Sequence, residues 1–159
     1  MELREQFTDD EWKNLVSLPY AISMAVIVAA PSVLGAWGES KAMIQEPKHL
    51  AAESGSALVG LISAEMQSKE KELIREQQDL VKHDRTGYRN MIIEAARSAS
   101  SALSRVPPDE AMAYKKWSLA IGQKVAEAAK EHGVAISEPE KAVLDEISDA
   151  FGISAGIPA

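Results

Sequence analysis

Twenty-five consecutive positions, Asn14 to Gly38, carry no charged side chain, and Lys13 and Glu39 close the run at its two ends. A stretch of this kind either crosses a bilayer or is buried inside a protein. A membrane span needs about 20 mostly apolar residues in succession. Here Pro19 and Pro31 cut the run and leave Tyr20 to Ala30 as its strongly apolar part. Eleven helical residues cover roughly 16 Å, about half the hydrocarbon thickness. Asn14, Ser17, Ser23 and Ser32 dilute the run further, and no basic cluster flanks it. The N-terminal Met1-Glu2-Leu3-Arg4-Glu5 also lacks the basic opening of a signal peptide. The expectation is a buried helix without a membrane span, in a soluble, cytoplasmic protein.

A helix apolar on every face must be covered on every face, so the rest of the chain has to supply its cover. At 159 residues, with 46% hydrophobic and 26% charged residues, the chain has the means to build one core. No segment alternates with period two for long enough to form a strand. The fold class expected is all-α: a single-domain helical bundle of about six to seven helices around the buried apolar helix 20–30. The domain is placed at 1–152, with 153–159 as a frayed C-terminal tail.

Local signals divide the chain further. Thr8-Asp9-Asp10-Glu11 is a capping box, and Phe7 and Trp12 hold the spacing of a hydrophobic staple around it. This first helix is expected over about 9–18, ending where Pro19 denies it continuation, with Pro19 opening the next. Gly35 and Gly38 bracket Trp37 in a segment read as loop or a short helical turn. Helix resumes near Glu39, and Pro47 restarts it. One long helix is expected over 56–83. Its Val59, Met66, Leu73 and Leu80 fall seven apart, the narrow stripe of two-stranded packing. Between Gln67 and Asp79 only Leu73 and Ile74 are apolar, which suits either a rim helix or a dimer interface.

A break at His83–Gly87 precedes an alanine-rich helix from Tyr88 to Leu103, expected to pack tightly on the apolar helix. An amphipathic helix over about 108–132 turns Ala113, Trp117, Ala120, Ile121, Val125 and Ala128 inward. Gly133 is placed as its C-cap and Val134–Ile136 as an extended bridge. Ser137-Glu138-Pro139-Glu140 is a second capping box, opening a last helix that stops at Gly152.

Chemistry is harder to find. The chain has no cysteine, which removes disulfides, thiolate ligands and thiol nucleophiles together. A net charge of -7 repels phosphate backbones, so no nucleic-acid partner is expected. Only residues 69–108, with 8 bases against 6 acids, run positive, and there the signs alternate as on an ion-paired, solvated face. Glu46-Pro47-Lys48-His49 has the Glu-x-x-His spacing of di-iron bundles, but the second copy those sites need is missing. Glu46, His49 and Glu53 are therefore weak metal candidates, and His83-Asp84 with Asp79 four residues before His83 could hold an ion in the same weak way. No Gly-x-Ser-x-Gly or phosphate-loop context occurs. No catalytic residue and no cofactor is assigned.

Phe7–Trp12, the Pro-led apolar helix ending Ala29-Ala30-Pro31-Ser32, and the closing Ser137-x-x-Glu140 helix together resemble a group of small uncharacterised prokaryotic helical proteins. More distantly, the Ala29-Ala30 segment and the last helix are similar to the tellurite-resistance TerB-like fold. That family carries acidic residues after its apolar helix where this chain has Pro31-Ser32, so the resemblance brings no site residue with it. The function expected is a non-catalytic helical interaction module, binding a protein partner or itself as a homodimer, with Leu73, Leu80 and Trp37 as contact candidates. The alternatives are a small-molecule or acyl-chain binding bundle, in which Met24, Met43 and Met66 line a pocket, and a metal-binding helical protein.

Overall fold

A computed structural model of the chain describes residues 3–29, 36–130 and 138–153; the side chains of 36–40 and of 129–130 are not described. The described residues form a short 3₁₀ turn (Leu3–Gln6) and seven α-helices, with no strand among them. The helices are α1 (Asp9–Ala29), α2 (Ala36–Ser54), α3 (Ala57–Ser68), α4 (Glu70–His83), α5 (Arg85–Leu103), α6 (Pro108–Lys130) and α7 (Glu138–Ala150).

The apolar run is the axle of the molecule. Leu18 to Val26 is buried without interruption, and α1 packs against each of the other six helices. By length and composition alone α1 would cross a membrane, but 67% of its most apolar window is covered by the rest of the fold. Its start is capped as the sequence indicates. The Glu11 amide donates to Thr8 Oγ1 (3.1 Å) and the Thr8 amide to Glu11 Oε1 (2.9 Å), while Phe7 and Trp12 meet with ring centroids 6.0 Å apart.

Pro19 does not end that helix, contrary to expectation: α1 continues through it to Ala29. A proline inside a helix leaves the carbonyl four residues earlier without its N–H donor. Here that carbonyl belongs to Leu15, and the buried Tyr114 hydroxyl of α6 donates to it at 2.7 Å. Tertiary packing thus replaces the bond that local chemistry removes. Pro47 likewise lies inside α2 rather than at a helix start, and α2 already begins at Ala36, so the Trp37 segment is helix and not loop.

The single helix expected over 56–83 is two. Lys69, off helical geometry at φ -121° and ψ 20°, closes α3 and opens α4. Ser56 caps α3 by accepting from the Val59 amide (3.1 Å), and its hydroxyl donates to Glu110 Oε1, tying this corner to the start of α6. The break before α5 is the single residue Asp84, whose carboxylate accepts from the Gly87 amide (2.9 Å). At the far end Gly152, at φ +79°, lets the Ile153 amide return to the Ser148 carbonyl, the left-handed helix stop that favours glycine. Gly133, the bridge 134–136 and Ser137 lie outside the described residues.

The core collects one stripe from each helix. Ala96, Ala99 and Ala102 of α5 are buried, as the small-residue stripe requires, and the Asn14 side chain donates to the Ala95 carbonyl across the seam (3.0 Å). Gly122 brings α6 close to α1 and α7: a Cβ there would lie 2.7 Å from Leu144 Cδ2 and 2.9 Å from Ile22 Cγ2.

Candidate functional site

Of the residues singled out in the sequence, the Glu46–His49–Glu53 set is brought together but does not converge. His49 Nδ1 lies 3.7 Å from Glu46 Oε2, and its Nε2 lies 3.6 Å from Glu53 Oε1. The carboxylates flank opposite ring nitrogens, so they cannot share one ion with a single imidazole atom, and either nitrogen with its one carboxylate supplies only two ligands of the four a structural zinc takes. Among the described residues no three His, Asp or Glu side chains are grouped to hold a metal. What the trio forms is a pair of surface contacts that become ionic when His49 is protonated.

Leu73 and Leu80 are taken up by the chain itself. Leu73 is 4% exposed in the core, Leu80 packs against it, and Val59 and Met66 are fully buried. The break at Lys69 also ends the continuous helix that a seven-residue stripe needs. Within the chain the stripe therefore contributes to the monomer core, with Leu80 half-buried at its end. Trp37 sits in the first turn of α2, with its side chain outside the described residues. Met24, Met43 and Met66 are core residues, and none lines a described cavity.

Part of the charged surface resolves into pairs. Where α1 meets the α3–α4 junction, a cleft of about 270 Å³ is framed by Arg4–Asp9 (2.7 Å), Lys13–Glu76 (3.7 Å) and Lys69–Glu65 (3.6 Å). Further bases of the 69–108 segment are also paired, Arg89 with Glu146, Arg97 with Glu94 and Arg105 with Glu11. Arg105 holds the Glu11 carboxyl down to about 2, helped by the Thr8 amide. Exposed pairs of this kind contribute little each. The paired bases lie on a solvated face.

The polar groups at the centre have structural duties. Tyr88 donates to Gln77 Oε1 (2.6 Å), which explains a buried glutamine on α4, and burial raises the Tyr88 hydroxyl well above the usual phenol range. Tyr114, wholly buried, is raised for the same reason.

What remains is a groove of about 490 Å³ between the last turns of α2 and the first three turns of α6. Trp117 floors it, 3% exposed and anchored by its indole N–H to the Pro47 carbonyl (3.0 Å). Leu50, Ala113 and Ala120 form half-buried walls. Met112 stands at its edge, 40% exposed, and the rim carries Glu53, Asp109 and Lys116. The α6 periodicity places Ala113, Trp117 and Ala120 on one face. That the cover over this part of the face is incomplete is a tertiary fact, and the one local hint is Met112 among charged neighbours. Compared with protein families, curated proteins and solved structures, the chain matches none of them.

Proposed function

We propose that the chain is a non-catalytic helical interaction module, whose docking surface is the α2–α6 groove and whose guest is a helix of another polypeptide. The observation that carries this reading is the groove itself. It is an apolar channel with a tryptophan floor, a half-exposed methionine at its edge and a charged rim. Grooves of this make-up take the anchor side chains of an amphipathic helix, with rim charges fixing its register. The walls stand on two helices that pack closely on each other, so little ordering is needed on binding. Methionine at the edge suits the role, since its flexible thioether adapts to a neighbouring surface.

The test places a photo-crosslinking side chain at position 112 of the full chain in living cells. A discrete adduct with a helical peptide of one polypeptide is expected, and it should disappear when Ala113→Trp fills the groove. The same probe at position 61, where Leu61 is 44% exposed on α3, gives the background. Adducts equal at both positions, or unaffected by the filled groove, would overturn the reading.

A further inference from the structure

The rim charges say what kind of guest fits. Asp109, Met112, Ala113 and Lys116 line the groove from one face of α6. Asp109 and Lys116 are two turns apart, about 10.5 Å along the axis, and Met112 and Ala113 sit midway between them. Acid, apolar pair, base is a sequence that becomes its own complement when the helix is reversed. A two-fold axis through Met112 and Ala113 therefore sets Asp109 of one copy against the partner's Lys116, and Lys116 against the partner's Asp109. The same operation stacks each Met112 on the partner's Ala113, where the small side chain leaves room for it. An isologous contact demands this kind of self-complementarity.

Two further observations favour it. Asp109 and Lys116 are both exposed and have no ion-pair partner among the described residues, so each is available to pair across the two-fold axis. Glu53 of α2 also stands on the rim, and adds a second acid to the side that receives the partner's lysine.

Resting on the reading of the groove as a docking surface, we infer that its occupant is a second copy of this chain, joined through the N-terminal halves of two antiparallel α6 helices. The net charge of -7 on each copy opposes association, so the dimer forms by local complementarity against a general repulsion. Added salt weakens both effects.

Charge reversal tests this without touching the core. The full-length wild type should show a concentration-dependent doubling of mass by sedimentation velocity. Asp109→Lys and Lys116→Asp should each remain monomeric with unchanged helicity, since each sets like charges against one another twice. Mixed together, the two variants restore both pairs, and the mixture should recover the doubled mass. A wild type that stays monomeric at millimolar concentration, or variants that dimerise as before, would overturn the inference. If the wild type is monomeric while the crosslink at position 112 captures a different protein through the open groove, the docking surface stands and only the second copy is refuted.

Discussion

The carbonyl of Leu15 loses its helical donor to Pro19 and regains one from Tyr114. This exchange makes a sharp prediction. Tyr114→Phe keeps the ring and strands the carbonyl, and should cost about 1–3 kcal/mol in urea unfolding. In a Pro19→Ala background the helix supplies its own N–H again, and the same change should cost clearly less. Equal costs in both backgrounds would show that the phenol does not stand in for the missing amide. The exchange also shows what could be read locally. The Thr8–Glu11 box was legible because all its atoms lie within four residues, but the donor that carries α1 through Pro19 lies on α6. A second residue-scale prediction concerns Glu11. Its folded value of about 2 lies below the ordinary 4.5, so the unfolded chain binds more protons between those values. The stabilisation is present above about pH 4.5 and is lost as pH falls towards 2. Arg105→Gln should therefore lower stability at neutral pH, with the gap to wild type narrowing across that window.

At the level of elements, the helices were legible in number and type, while their joints were only partly so. Prolines suggested breaks where α1 and α2 run on. Lys69 breaks a helix with neither proline nor glycine to announce it. Propensity acts locally and weakly, and packing on six neighbours overrides it. Two glycines inside helices separate these influences. At Gly60 of α3 an added methyl would meet nothing within 4 Å, whereas a methyl at Gly122 would press on Leu144 and Ile22. Gly60→Ala should stabilise by up to about 1 kcal/mol through helix propensity. Gly122→Ala should destabilise by about 1–3 kcal/mol through overpacking. Thermal midpoints moving the same way in both variants would refute the close seating of α6.

For the whole molecule, the apolar run gave away the central helix, since the composition of 20–30 permits no exposed face. The candidate site was far less legible. Leu73 and Leu80 repeat at an interface spacing yet fill the monomer, because a seven-residue period does not say which surface a stripe meets. The groove depends on where α2 ends relative to α6, which no local pattern records. The seating of α1 has a consequence for synthesis. Its cover comes largely from α5, α6 and α7, which leave the ribosome long after it does. At 5–20 residues per second, the hundred or so residues from Ala29 to the end of α6 take roughly 5–20 s to translate. Throughout that interval the apolar part of α1 waits with its tertiary cover incomplete, in view of the machinery that sorts nascent chains to membranes. The polar atoms of Asn14 and Ser17 and the ring of Pro19, all absorbed into the finished fold, are then the features of this segment least suited to a bilayer.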